Sequence, residues 1–243
     1  MRLLVLLLSL CMPVVAWLDQ RGTFGPSNGE VSNRFPTLLV AAGYAFAIWG
    51  LIFLLDALHG ISQMTGRRRK MPVLSRAAPW TALGFAATTA WMPLFSMGQY
   101  AVCVLVIALA TLGMVRASMI VLADSTSPGL ARWSLPLHAG WLSLATFLNI
   151  AQVIVAYRWL PTDRMLPWSL VLLALATGLA LAVSRRLRSW PYVLAIVWGL
   201  AATYAKQSRA SLSGADVAAI AALVAAGLIV LQRVLPGKRR HRR

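Results

Sequence analysis

Apolar residues are grouped along the chain into eight segments, separated by short polar or basic stretches. Most of the segments approach the ~20 residues that an α-helix needs to cross a bilayer, and the first and seventh are the shortest. They lie at residues 3–18, 37–60, 77–97, 99–123, 134–157, 166–184, 189–205 and 214–235. Soluble domains do not tolerate several such runs. The pattern therefore predicts an all-α integral membrane protein.

The first segment has two interpretations. As a retained helix it begins the bundle, with Pro13 kinking it. Alternatively, Arg2, the short apolar stretch and Val14-Val15-Ala16 resemble a signal peptide with a cleavage site. Its removal would leave seven spans with the same loop orientation, so both alternatives stay open.

The composition agrees with a membrane protein and narrows the classes of function. Hydrophobic residues make up 59% of the 243 residues, and the net charge is +17. Because the basic residues lie in short loops between apolar runs, we expect them to meet lipid headgroups and not nucleic acid. Cys11 and Cys103 have no CxxC spacing, which argues against a zinc site or disulfide framework. With only six acidic residues and three histidines, we expect no enzymatic activity.

The basic residues also predict an orientation. When successive loops are assigned to alternating sides, seventeen Lys and Arg fall on one side and six on the other. Cytoplasmic loops carry the excess of positive charge. We therefore expect a multi-pass protein of the plasma (inner) membrane with both termini in the cytoplasm, together with residues 61–76 and 238–243.

The fifth segment carries a line of polar groups on one helical face. The positions that share this face are His138, Trp141, Ala145, Asn149 and Gln152. An unpaired amide in hydrocarbon costs several kcal/mol, so Asn149 and Gln152 should face protein or a cavity. Hydrogen bonding to a neighbouring helix explains the pattern slightly better than ligand binding does, and both remain open.

Aromatic residues follow helical spacing in the second and third segments. The shared face of the second segment contains Phe46, Trp49, Phe53, Asp56 and Gly60, and that of the third contains Gly84, Thr88, Trp91 and Phe95. Plain packing is the commoner reason for such stripes, and we expect Gly84 to mark a close helix contact. Three helices nevertheless each offer a deep tryptophan, which suits a pocket for a flat apolar ligand.

We predict one ligand cavity between the second, third and fifth segments, opening toward the non-cytoplasmic side. The predicted ligand-binding residues are Trp49, Phe53, Trp91, Phe95, His138, Trp141 and Asn149. From the rise of ~1.5 Å per residue, His138 and Trp141 should lie at the floor and Asn149 nearer the outside. The turn-rich loop from Asp19 to Pro36 is expected to cover the mouth as a lid.

Ionisable residues inside the segments raise a second class of function. Asp56 lies one turn from His59. An acid near a helix end is expected to pair with one of the basic residues that follow, yet Asp56 and His59 could also relay a proton in a transporter. His138 could ligate haem or another metal as a neutral imidazole.

Four stretches resemble the tryptophan-rich sensory protein / translocator protein (TspO/MBR) family. They are NGEVSNRFP (28–36), AGYAFAIWGLIF (42–53), AWMPLF (90–95) and GWLSLATFLN (140–149). The resemblance spans about residues 1–157, with Ala87-Thr88 standing where family members often have Leu-Asn. It implies a five-helix bundle that binds porphyrins or haem, or sterols in animal members, in a pocket under the first loop.

The resemblance leads to a division of the chain and to three functional hypotheses. We expect a five-helix membrane domain at 1–160, three added transmembrane helices at 161–235 and a basic cytoplasmic tail at 236–243. The leading hypothesis is a membrane sensor or carrier that binds a hydrophobic aromatic molecule, such as porphyrin or haem. The alternative is a secondary transporter with a proton-linked Asp56/His59 relay. A third hypothesis, an enzyme that breaks down tetrapyrroles, lacks a clear acid–base pair in the sequence. A homodimer is compatible with all three.

Overall fold

The computed structural model describes residues 1–235, which fold into α-helices without any β-strand in that range. The predicted basic tail at 236–243 lies outside the described residues. Two 3-10 helices lie at Gly43–Ala47 and Gly66–Lys70. The α-helices are α1 Arg2–Gln20, α2 Asn28–Arg34, α3 Ile48–Ser62, α4 Pro72–Ser96, α5 Tyr100–Ala123, α6 Gly129–Tyr157, α7 Leu166–Leu187, α8 Trp190–Gln207 and α9 Ala215–Val234. The all-α membrane fold is confirmed.

Within residues 1–235, six helical stretches are long and apolar enough to cross a membrane. They are Arg2–Gln20, Gly43–Ser62, Tyr100–Ala123, Gly129–Tyr157, Leu166–Leu187 and Ala215–Val234. The other two predicted spans correspond to α4 and α8, which are 25 and 18 residues long. Their polar residues lower the average hydropathy, but Thr88 of α4 and Gln207 of α8 are buried inside the bundle.

Contacts at the helix ends show the direction in which each helix runs. The Arg2 guanidinium donates hydrogen bonds to the carbonyls of Arg68, Arg69 and Met71, so α1 begins where α4 begins. Asp19 at the other end of α1 accepts a hydrogen bond from Ser96, where α4 ends. We call the end of the bundle with residues 66–70 the basic end and the end with α2 the lid end.

The segment before α3 departs from the prediction. A span was expected over residues 37–60, but residues 37–42 are not helical, residues 43–47 form a 3-10 helix, and α3 begins only at Ile48. Leu38, Leu39 and Val40 are nevertheless buried. The apolar residues at 38–40 are thus buried inside the protein without forming a regular membrane helix.

Small residues allow close helix contacts in the N-terminal part of the bundle. A Cβ added at Gly60 of α3 would overlap Ser9 of α1. Between α4 and α5, a Cβ at Gly113 would lie 2.8 Å from the backbone nitrogen of Gly84. The close contact predicted at Gly84 is confirmed, and α1 is a packed element of the bundle, with Val5 and Met12 fully buried.

The long helix α6 joins the two parts of the chain. It packs against α3 and α5 on one side and against α7 and α8 on the other. A Cβ at Gly140 would overlap the carbonyl of Tyr192 in α8, and the Tyr192 hydroxyl donates to Ser143 Oγ at 3.1 Å. The three C-terminal helices therefore share a continuous core with the first five. The expected boundary near residue 160 falls in the loop after α6.

The first loop forms a folded cover. Ser27 and Glu30 make a capping box that begins α2, and the hydrogen bonds from Ser27 hold the pKa of Glu30 below its usual value. The Asp19 carboxylate accepts from the backbone N–H of Asn28 at 3.1 Å and from the hydroxyl of Ser96. These bonds fix α2 across the ends of α1 and α4.

Candidate ligand-binding site

A narrow, mostly apolar cavity of about 50 Å³ lies beneath the lid end of the bundle. It is enclosed by α2, α3, α4, α5, α6 and residues 40–46. The lining consists of Ser32, Val40, Ala41, Ala45, Phe46, Trp49, Trp91, Phe95, Ile107, Trp141, Ala145, Leu148, Asn149 and Gln152. The volume suffices for little more than a water or two, so a larger ligand must also use adjoining space.

That adjoining space is a groove of about 480 Å³ between α1, α2 and α3. It shares Ser32, Ala41, Phe46 and Trp49 with the cavity, so these residues form the partition between the two. Its inner part is lined by aromatic and apolar side chains, and its outer part by Asp19, Gln20, Asn28 and Asn33. No described residue that lines either space is basic.

Aromatic rings form the walls in the arrangement that helical spacing predicts. Trp91 stacks on Phe95 with ring centroids 4.8 Å apart, and Trp49 stacks on Phe53 at 5.1 Å. Trp49 also presents its edge to Trp141, with centroids 6.0 Å apart and planes at 83°. The three deep tryptophans of α3, α4 and α6 thus converge on one site.

Two hydrogen-bond donors in the cavity have no partner among the described residues. Asn149 Oδ1 accepts from Trp91 Nε1 at 3.2 Å, but Asn149 Nδ2 and Trp141 Nε1 donate to nothing. Both side chains are at least 97% buried. A buried donor without an acceptor costs ~1–3 kcal/mol, and both of these nitrogens belong to residues that line the cavity. A ligand acceptor that reached either nitrogen would remove that cost.

The lid is fastened to α6 above these donors. Gln152 Nε2 donates to Ser32 Oγ at 2.7 Å, and Val31 beside it is fully buried. Gln152 therefore hydrogen-bonds a neighbouring helix, which is one of the two interpretations that the polar face of the fifth segment allowed. Asn149, one turn earlier, accepts a hydrogen bond from Trp91 of α4, while its Nδ2 has no acceptor among the described residues.

A separate polar cluster, consisting of Asp56, Thr88, Ser134 and His138, lies nearer the basic end. His138 Nδ1 is 2.8 Å from Asp56 Oδ2, and Ser134 donates to Asp56 Oδ1 at 2.5 Å. His138 Nε2 is 3.2 Å from Thr88 Oγ1. All four side chains are buried, and every polar atom has a partner.

The polar cluster corrects two expectations. Asp56 was expected to pair with a basic residue after α3, but its partner is His138, 82 positions away. A histidine ligand for haem or metal needs a free ring nitrogen, whereas both nitrogens of His138 are already engaged. His138 instead contacts the edge of Trp49, with centroids 5.7 Å apart.

The seven predicted ligand-binding residues lie in the cavity, the groove and the polar cluster, which are neighbours in the structure. Trp49, Trp91, Phe95, Trp141 and Asn149 line the cavity. Phe53 lines the groove, and His138 belongs to the polar cluster and is not part of the cavity lining. Sequence analysis missed five apolar lining residues, Val40, Ala41, Ala45, Ile107 and Leu148. An apolar position carries no signal that separates a lining residue from a packed one.

Comparison with known proteins places the chain in a family. The family model described as TSPO-like protein matches residues 2–235, and so extends through α7, α8 and α9, beyond the stretches that carry the resemblance. No curated protein and no solved structure matches the chain. With a helical membrane bundle, a folded first loop and a match over almost its whole length, the chain belongs to the family of TSPO-like proteins.

Proposed function

We propose that this protein is a membrane sensor or carrier that binds a flat, hydrophobic molecule with hydrogen-bond acceptors. The observation that carries the proposal is the pair of buried, unpartnered donors, Trp141 Nε1 and Asn149 Nδ2, on two residues that line the aromatic cavity. A carbonyl, ether or carboxylate oxygen of a ligand would satisfy them. Trp49 and Phe46 belong to both spaces, so a ligand larger than the cavity would contact them while extending into the groove.

Porphyrin-like molecules are our leading ligand class, and metal-free forms are favoured over haem. A macrocycle would occupy the 480 Å³ groove and place one edge in the cavity. Its carboxylates could accept hydrogen bonds from the amide groups of Asn28 and Asn33. Iron ligation by His138 would require breaking its bond to Asp56 or to Thr88, which costs binding energy that a metal-free ring need not supply.

A titration of the purified protein with protoporphyrin, haem and a sterol tests this proposal. We expect saturable quenching of the ten tryptophans by protoporphyrin. Trp141→Phe and Asn149→Leu should each weaken binding about tenfold, the equivalent of one hydrogen bond of ~1.4 kcal/mol. Trp159→Phe, at an exposed position at the lid end, is the matched control. Wild-type affinity in both cavity variants would contradict the site.

A second candidate function is proton-linked transport, and the buried Asp56–His138 pair is the observation that favours it. Ionisable groups inside a membrane protein are expensive and often mark a proton path. The proton-sharing partner would be His138, while His59 lies one turn along α3 without a hydrogen bond to Asp56 among the described contacts.

Proteoliposomes with a trapped pH dye separate carrier from sensor. If the protein is a proton-linked carrier, a gradient of protoporphyrin should drive a pH change with the wild type and none with Asp56→Asn. Asp56→Asn should still bind protoporphyrin, because Asp56 does not line the cavity. Binding by the wild type without any pH change would contradict proton-linked transport and leave a sensor or an uncoupled carrier.

We also propose that the basic end faces the cytoplasm, in the plasma (inner) membrane. The excess of Lys and Arg at that end supports the orientation. In a variant without the native Cys11 and Cys103, an impermeant maleimide added to intact cells should label Ser208→Cys at the lid end. It should not label Thr65→Cys, which is exposed at the basic end. The reverse pattern would invert the orientation.

A further inference from the structure

We propose that α8 is a clamp that holds residues 37–45 against the ligand cavity, with Thr203 and Gln207 as positioning residues. The inference gives the C-terminal helices a role in ligand binding, although α8 does not line the cavity itself. Its consequence for ligand binding rests on the proposed function. The clamp as a structural device does not depend on which ligand is bound.

Residues 37–45 need an external source of hydrogen bonds. Residues 37–42 form no helix, yet Leu38, Leu39 and Val40 are buried by 93% or more. Backbone N–H and C=O groups that are buried away from water must be paired. A non-helical stretch at this depth therefore depends on what a neighbouring element donates or accepts.

One face of α8 supplies these hydrogen bonds. Gln207 Nε2 donates to the carbonyls of Thr37 and Val40 at 3.1 and 2.9 Å. The Thr203 hydroxyl lies 3.3 Å from the carbonyl of Leu39 and 3.1 Å from the carbonyl of Gly199 in its own helix. Trp198 Nε1 donates to the carbonyl of Ala45 at 3.0 Å.

A backbone contact completes the set, because the N–H of Ala42 donates to the carbonyl of Ala202 at 3.0 Å. Five hydrogen bonds thus join about two and a half turns of α8 to the nine-residue segment 37–45.

The clamped residues are also the residues that enclose the ligand space. Val40, Ala41 and Ala45 line the cavity, and Ala41 and Gly43 line the groove. From the same helix, Gly199 lies behind Trp141, where an added Cβ would be 3.3 Å from the indole ring. Helix α8 therefore supports two walls of the cavity from outside, one through backbone hydrogen bonds and one through close packing.

If the clamp loosens, residues 37–45 should open and a bound ligand should leave faster. We would replace Gln207 by Ala, and Thr203 by Val, which keeps the shape of the side chain. Thr177→Val is the matched control for Thr203, because the Thr177 hydroxyl bonds only the carbonyl of Leu173 in its own helix. Ser208→Ala is the neighbouring control for Gln207.

Amide hydrogen exchange of the full chain in lipid nanodiscs is the first measurement. Gln207→Ala should speed exchange of residues 37–45 about tenfold and Thr203→Val by a smaller factor, while both controls keep the wild-type rate. Because Gln207→Ala could fail to fold, Thr203→Val keeps the test decisive. Wild-type exchange at residues 37–45 in a folded variant would overturn the clamp.

The dissociation rate of protoporphyrin is the second measurement. We expect it to rise severalfold in the variants whose exchange rises. Faster exchange with unchanged dissociation would overturn the link between clamp and ligand. If wild-type protein binds no protoporphyrin, the proposed ligand class is wrong, and the exchange measurement alone decides whether α8 clamps the segment.

Discussion

The two halves of α6 treat their buried polar groups differently. Toward the basic end, His138 and Ser134 belong to the polar cluster, in which every donor and acceptor is matched within the protein. Toward the lid end, Trp141 and Asn149 each leave a donor unmatched beside the aromatic cavity. A matched network contributes to the stability of the fold. Unmatched donors lower that stability until a ligand supplies their acceptors. The same helix thus carries one group of polar residues that stabilises the fold and another that could bind a ligand.

The strongest challenge to this comparison is Asp56→Ala. The substitution leaves His138 Nδ1 and the Ser134 hydroxyl buried without their acceptor. Loss of one member of a buried pair typically costs ~3–5 kcal/mol in the free energy of unfolding. Denaturant or thermal unfolding in detergent measures it. Asp163→Ala, at an exposed position, is the control and should change nothing. A loss below ~1 kcal/mol in the free energy of unfolding would mean that the hydrogen bonds of Asp56 do not stabilise the polar cluster.

Thr88→Val tests the other side of His138. It removes the hydroxyl at 3.2 Å from Nε2 and keeps the side-chain shape, so we expect a loss of ~1–3 kcal/mol. The adjacent Thr89→Val is a close control, because Thr89 bonds only the carbonyl of Phe85 in its own helix. Equal losses in the two variants, measured by the same unfolding assay, would show that Thr88 does not support His138.

Ser32→Ala probes the fastening of the lid. Gln152 loses its 2.7 Å hydrogen bond, and we expect a decrease of ~1 kcal/mol in the free energy of unfolding. Exchange of the α2 amides should rise more than exchange of the α4 amides. Ser213→Ala, in the exposed loop before α9, serves as the control. If α2 exchange stays unchanged, other contacts hold the lid.

Asn149→Leu should have the smallest effect on stability. It breaks the bond from Trp91 but also removes the unmatched Nδ2 donor. Because the two changes oppose each other, we expect the free energy of unfolding to stay within about 1 kcal/mol of the wild type. The loss of ligand binding described above should occur all the same. A destabilisation as large as that of Asp56→Ala would place Asn149 among the structural groups.

Helical spacing was enough to predict the converging aromatic walls, because residues three and four apart share a face wherever the helix is regular. It identified Trp49, Trp91, Trp141 and Asn149, and the small residue at Gly84 correctly indicated a close contact. These features depend only on local order within each helix.

Features that depend on distant parts of the chain could not be predicted. The pairing of Asp56 with His138 spans 82 positions, and no local pattern favours it over a basic neighbour. Residues 37–42 are apolar like a membrane helix, and hydropathy does not distinguish a helix from a buried extended stretch. The carbonyls of this stretch are bonded by Thr203 and Gln207. Nothing in the sequence of α8 marks these two polar residues as partners of residues 37–40.

The bonds between residues 37–45 and α8 also have a consequence for biosynthesis. The partners are separated by 153 to 170 positions, so the N-terminal helices emerge from the ribosome long before α8 does. Until then the carbonyls of Thr37, Leu39 and Val40 lack the hydrogen-bond donors that α8 supplies. We expect the ligand cavity to be completed late, after α8 inserts, and chains halted after α6 to carry helices α1 to α6 around an unfinished site.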